Sequence, residues 1–299
     1  MTFKKTLSDI KSLKIQGAEN IAKEASKSIA AVFEENKTKR AIDLKEILTK
    51  ARKKLEQARP TEPALRNSLE YIFSHLDFAN KRSLENALTN NIAMVLIHFK
   101  EARKKIIELG ARKIRKGMIV YTHCHSSTVT SILIEAKKQG KKFEVHNTET
   151  RPLFQGRITS EELAKHKIPV THYVDSAARQ ALKKADLMLI GADAITSTGH
   201  VINKIGSELI AESAKRLGVP VFCCTNSWKF DPKTLHGYDE EIEKRSQSEI
   251  WSKAPKGVKI DNCAFEKVHP ELITGIISEL GIYKPEIFVE EVIRQYGFK

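Results

Sequence analysis

The chain has 299 residues, 41% of them hydrophobic and 29% charged. That mixture excludes a disordered or collagen-like chain and a disulfide scaffold, and the length permits a sizeable core without metal or disulfide staples. Lys and Arg outnumber Asp and Glu by 14, a balance that suits anionic substrates, RNA or an acidic partner and identifies none of them.

Residues 1–110 hold 22 basic and 14 acidic side chains, which also reads as a solvated, lysine-rich helical surface. The longest apolar runs, at 92–97 and 187–192, fall far below the ~20 residues of a membrane-spanning helix. The N-terminus has lysines but no apolar signal segment, so a cytoplasmic location is expected. Four cysteines, Cys124, Cys223, Cys224 and Cys263, lack C-x-x-C spacing, which speaks against a zinc cluster.

From Leu7 to about Leu109 apolar residues such as Leu44, Ile47, Leu48 and Leu55 recur at three- and four-residue spacing, the period of amphipathic helices. The run Arg59-Pro60-Thr61-Glu62-Pro63 should end one helix before another starts near Ala64. After Gly117 short apolar strands alternate with helical stretches: 118–123, then Ser126 to Gln139; 143–148, then Thr159 to His166. The series continues with 170–175, Ser176 to Lys184, 187–193, Asn203 to Leu217 and 219–225. Such βαβ alternation implies a mostly parallel sheet with helices on both faces. The fold expected is α/β: a helical N-terminal domain over 1–112, then a doubly wound, Rossmann-like sheet domain over 113–299. Beyond Asn226 a polar connection leads to VKIDN at 258–262, a further strand candidate, and to helices expected at Pro270–Leu280 and Pro285–Tyr296.

Ligands of open parallel sheets bind outside the carboxyl ends of the strands. The ends here read Thr122-His123-Cys124-His125-Ser126, Thr148-Glu149-Thr150-Arg151, Asp175-Ser176 and Gly191-Ala192-Asp193. Cys124 and Ser126 precede a helix start whose free amides favour phosphate and lower a thiol pKa; alternatively the cysteine is a small core residue. Asp193 follows an apolar strand, which suits a general acid, or it caps the turn after it. Asp175 reads as an N-cap. Asn203-Lys204 is placed at a helix start suited to a phosphate or hydroxyl. His123 and His125 alternate across a strand end, poor spacing for a shared metal. There is no G-x-G-x-x-G, P-loop or G-x-S-x-G, which disfavours dinucleotide, nucleotide-hydrolysing and α/β-hydrolase chemistry.

Taken in order, QGAENIA at 16–22, RPT at 59–61, THCHS at 122–126, TETRPLFQG at 148–156, VDSAAR at 174–179, GADAI at 191–195, GHVINKIG at 199–206 and SELGIYKP at 278–285 resemble one superfamily. It joins the regulatory subunits of translation initiation factor 2B to sugar-phosphate isomerases, and the likeness is strongest to the archaeal ribose-1,5-bisphosphate isomerases. The resemblance implies a catalytic Cys124 and Asp193 and substrate contacts from Gly17, Arg59, Ser126, Arg151, Gln155, Asn203 and Lys204. It implies no cofactor or metal, a homo-oligomer (dimer or hexamer) and AMP as an effector. It leaves two alternatives: methylthioribose-1-phosphate isomerase, and a non-catalytic regulatory module that binds initiation factor 2. Two departures stand out. Gln16 replaces an arginine usual in the isomerases, which removes a charge-assisted phosphate contact worth about 1.5–3 kcal/mol. Cys263 stands where the family often has proline, and no function attaches to it.

Overall fold

The computed structural model describes residues 2–239 and 242–297, and the chain divides into two compact units, Met1–Glu101 and Ala102–Lys299. Among the described residues no helix is long and apolar enough to cross a membrane.

The first unit is helical: α1 (Phe3–Lys11), α2 (Ala18–Asn36), α3 (Ala41–Ala58), α4 (Pro63–Phe73) and most of α5 (Lys81–Lys113). Its periodic apolar faces bury Ile21, Ile29 and Phe33 of α2, Leu44, Leu48 and Leu55 of α3, and Leu65, Leu69 and Ile72 of α4. α2 packs against both α3 and α4. Pro63 opens α4 at its first turn, where its missing N–H leaves no hydrogen bond unmade. The sequence boundary at 112/113 lies inside the second unit, because the end of α5 belongs to the sheet domain: Ile106, Ala111 and Ile114 enter its core.

In the second unit the elements are β1 (Ile119–Thr122), α6 (Ser127–Lys138), β2 (Glu144–Thr148), α7 (Gln155–Lys165), β3 (Val170–Tyr173), α8 (Ala178–Leu182), β4 (Leu187–Ile190) and β5 (Ala194–Ile195). They continue with β6 (Val201–Lys204), α9 (Ser207–Leu217), β7 (Val221–Cys224), β8 (Phe265–Val268), β9 (Gly275–Ser278), β10 (Gly281–Tyr283) and α10 (Pro285–Tyr296). Seven strands form one sheet in the order β10-β9-β7-β4-β1-β2-β3, parallel except at the β10 edge. β5, β6 and β8 form a separate antiparallel sheet.

Alternation along the strands feeds two cores. Val120, Val145, Leu189 and Cys224 pack with Ile106 of α5 and Val129, Ile132 and Leu133 of α6. Tyr121, Met188, Ile190 and Cys223 pack with α8, with Ile210 and Ala214 of α9 and with Phe288 and Val292 of α10. The adjacent Cys223 and Cys224 thus serve opposite faces, as strand geometry requires, and all four cysteines are free.

Three sequence expectations are corrected. Asn203 and Lys204 close strand β6 instead of starting a helix, and α9 begins at Ser207. VKIDN adds no strand; the strand lies farther on, at β8. The helix expected at Pro270–Leu280 is a short turn followed by β9 and β10. Short buried apolar runs carry no periodicity that separates strand from helix, and Gly275 and Gly281 weaken a helix there.

The close packing of α7 on β2 depends on Gly156. A Cβ there would lie 1.8 Å from Thr148 O, a backbone atom with no room to withdraw. Replacing Gly156 by Ala is expected to destabilise the protein by about 3 kcal/mol in urea unfolding; a loss under about 1 kcal/mol would contradict this packing.

Candidate active site

The ends of β1 and β4, neighbours in the sheet, carry Cys124 and Asp193 respectively. Cys124 adopts a left-handed backbone, φ 66°, which costs a non-glycine residue about 1–2 kcal/mol. Two hydroxyls hold it there: its N–H donates to Thr150 Oγ1 at 3.0 Å, and its carbonyl accepts from Thr159 Oγ1 at 2.9 Å. Thr150 is left-handed as well, φ 62°. Its amide and that of Arg151 donate to the two carboxylate oxygens of Asp175 at 2.8 and 2.7 Å, so Asp175 braces the loop after β2.

His123 ties these parts together. Its ring is buried, with Nε2 2.9 Å from Ile205 O and Nδ1 2.8 Å from Thr148 Oγ1. A carbonyl only accepts, so Nε2 carries a proton; a hydroxyl can donate or accept, and it is burial that keeps the imidazole neutral and makes Nδ1 the acceptor from Thr148. Burial also lowers the pKa of His123, against the opposing pull of the Ile205 carbonyl and Asp175. Gly206 makes room for this ring: a Cβ there would lie 3.0 Å from His123 Nε2. His125 turns elsewhere, its Nδ1 3.1 Å from Thr159 Oγ1.

Ser126 caps α6, accepting from Val129 N at 3.4 Å. Gly191 lets β4 approach this cap, since a Cβ there would lie 2.9 Å from Ser126 Oγ. Asp193 is half-buried, its amide bonded to Ile202 O at 2.8 Å, and the neighbouring Ala192 carbonyl accepts from Lys229 Nζ.

The thiol contradicts the expectation of a lowered pKa at a helix start. Desolvation of Sγ pushes the Cys124 thiol up to about 12; the His125 amide, Lys204 and Arg245 pull it down without overcoming this, and Asp193 adds to the rise. The sulfur is therefore a neutral thiol at neutral pH. Lys204 is only 5% exposed. Burial lowers its pKa, Cys124 and Asp193 oppose that fall, and Arg245 adds to it. A largely buried lysine beside a strand end is suited to receive an anion.

Of the other expected contacts, Gln155 stands at the start of α7 with a buried Oε1 that has no hydrogen-bond partner among the described residues. Asn203 Nδ2 donates to Ser207 Oγ at 3.0 Å. Arg151 is exposed; its guanidinium stacks on Phe154 at 5.1 Å and donates to Ile250 O at 3.5 Å. In the helical unit Gly17 opens α2 with φ 82°, Gln16 Nε2 donates to Leu13 O at 2.6 Å, and the buried Arg59 pairs with Glu62 at 2.9 Å. Sequence reasoning missed Lys229, Thr159 and Arg245. Lys229 could have been found just past the end of β7; the other two carry no local signal.

The initiation factor 2 subunit family model matches residues 14–285. The chain belongs to the initiation factor 2 subunit family. Within this family it is 36% identical to ribose 1,5-bisphosphate isomerase of Pyrococcus furiosus, over 97% of this chain and 92% of that protein. A methylthioribose-1-phosphate isomerase of Thermosipho africanus is also 36% identical, but over 62% of this chain and 58% of that protein. Among solved structures, a translation initiation factor eIF-2B of Pyrococcus horikoshii superposes with a TM-score of 0.83 at 26% identity, covering 96% of this chain and 98% of that one.

The desolvated thiol has a direct chemical consequence in this family member. Alkylation of Cys124 by iodoacetamide, followed on its own peptide by mass spectrometry, is expected to be slow at neutral pH. It should accelerate about tenfold per pH unit through the alkaline range. A neutral-pH rate equal to that of an unperturbed thiol would contradict the burial of Sγ.

Proposed function

We propose that the protein is an aldose–ketose isomerase that converts ribose 1,5-bisphosphate to ribulose 1,5-bisphosphate. The observation that carries this reading is the meeting of a half-buried carboxylate and a desolvated thiol at adjacent strand ends, beside the buried Lys204. Similarity to bisphosphate isomerases over nearly the whole chain supports this substrate over methylthioribose 1-phosphate, whose isomerase matches a shorter stretch.

Because C1 of the substrate bears phosphate, the sugar cannot open to a free aldehyde. The Cys124 thiol first passes its proton to the Asp193 carboxylate. Asp193, now the acid, protonates the ring oxygen O4 while the C1–O4 bond breaks. Cys124, as thiolate, removes the proton from C2, and the electron pair of the C2–H bond forms the C1–C2 double bond of an enol phosphate. The Asp193 carboxylate then takes the proton of the C2 hydroxyl, and the Cys124 thiol delivers its proton to C1. The C2 ketone results, the proton on Asp193 returns to Cys124, and no redox partner is consumed. Lys204 and the amides at the start of α6 are assigned to the phosphates. A direct C2-to-C1 hydride shift is the other route, and it predicts no solvent deuterium at C1. The same reading carries a homo-oligomeric assembly, AMP as an effector and a cytoplasmic location.

A proton and phosphorus NMR time course with ribose 1,5-bisphosphate, with and without AMP, tests the activity. Ribulose 1,5-bisphosphate is the expected product, and an unchanged substrate overturns the reading. Cys124→Ser and Asp193→Asn are each expected to reduce turnover at least about a thousandfold with the thermal melt preserved; full activity in either removes that residue from its role. In competition, methylthioribose 1-phosphate is expected to be turned over poorly.

A further inference from the structure

α7 meets the loop after β1 through one face. Gly156, Thr159 and Leu163, three and four residues apart, are its buried residues, and that spacing puts them on one side of a helix. The Gly156 amide donates to Glu149 O at 3.1 Å, and the Gly156 carbonyl accepts from Asn147 Nδ2 at 2.7 Å, so the first turn of α7 is docked on the end of β2. One turn further along, Thr159 is 1% exposed and its hydroxyl donates to the Cys124 carbonyl at 2.9 Å.

That hydroxyl has a single hydrogen, and a carbonyl only accepts, so the hydrogen belongs to the Cys124 bond. Thr159 Oγ1 is therefore the acceptor toward His125 Nδ1, 3.1 Å away. It follows that Nδ1 carries a proton whether the ring is neutral or charged. The other ring nitrogen, Nε2, lies 4.0 Å from Glu162 Oε2, also on α7. As the sequence neighbour of the thiol, His125 is the obvious candidate for its base, yet both of its nitrogens face α7 and Nδ1 is already committed as a donor.

We propose that His125 and Thr159 are positioning residues for Cys124: the imidazole orients the Thr159 hydroxyl, and the hydroxyl pins the Cys124 carbonyl so that the left-handed backbone presents the thiol. At φ 66° Cys124 is strained, and a return to negative φ would swing the Cα–Cβ bond and Sγ with it. Thr150 restrains the amide side of this residue and Thr159 the carbonyl side. The two hydroxyls come from different elements, so neither replaces the other.

The test follows iodoacetamide alkylation of the Cys124 peptide at neutral pH in the full-length protein and in T159V, T159S, H125F and H125N. T159V and H125F remove the hydroxyl and the ring donor, and each is expected to speed alkylation about tenfold as the thiol loses its fixed, desolvated position. T159S keeps a hydroxyl, and H125N places an amide N–H the same number of bonds from Cβ as Nδ1, so both are expected to stay within about threefold of the unaltered protein. The double variant H125F/T159V should match T159V alone, because the ring acts through the hydroxyl. The buried Cys223 and Cys224 are read in the same digest, and their protection shows that the fold is intact. If they too become reactive in T159V, the H125F and H125N pair decides. An unchanged Cys124 rate in T159V, a rate in H125N equal to that in H125F, or effects that multiply in the double variant overturns the proposal.

The kinetic consequence rests on the isomerase reading. T159V and H125F should each lower kcat at least about tenfold with KM within about threefold, and T159S and H125N should recover most of the loss. A rise in KM with kcat unchanged contradicts the assignment, and so does an H125N variant as slow as H125F, which would make the imidazole itself the base. If the unaltered protein leaves ribose 1,5-bisphosphate unchanged, the isomerase reading fails while the alkylation rates still decide the roles of His125 and Thr159.

Discussion

One buried, neutral imidazole holds three separate pieces of chain in register. His123 donates to Ile205 O and accepts from Thr148, so the end of β1, the end of β2 and the turn before α9 are tied by a single ring. Charging it would force the Thr148 hydroxyl to stop donating and would place a cation in a buried site. Burial keeps the ring neutral, and the Ile205 carbonyl then fixes the tautomer. Cys124, the next residue, inherits its position from this tether, and the small β5-β6-β8 sheet is linked to the large sheet through it.

The loops at the strand ends are held in backbone conformations they would not adopt alone. Cys124, Thr150 and Phe154 are all left-handed, each a local cost of about 1–2 kcal/mol. Side chains from other elements meet that cost: Thr150 and Thr159 bond the Cys124 backbone, and Asp175 accepts two successive amides. Asp175 was legible as the acceptor of free amides near a helix start. In the fold it serves a different loop, because β2 and β3 lie side by side.

Electrostatically the site places a desolvated thiol among one carboxylate and two cations. Desolvation wins at rest and keeps the sulfur protonated, the opposite of what a helix start alone implies. The positive charge of Lys204 and Arg245 limits that effect. A thiol with a raised pKa yields a strongly basic thiolate once formed, which fits the transfer of a carbon-bound proton.

The sequence by itself determined the layout wherever punctuation was local. α10 was readable residue for residue from the proline at its start and the glycine after its end, and the βα alternation placed Cys124 and Asp193 at strand ends. The motif strings also carried the family. Local pattern failed where burial alone distinguishes strand from helix, as in β6, β9 and β10, since a four-residue apolar run has no period to read. Only the tertiary structure decided that His123 is a tether and that the thiol is protonated. Each of those depends on desolvation and on contacts between residues far apart in the chain, such as His123 with Thr148 and Ile205. These are properties of the folded environment that no local stretch of sequence contains.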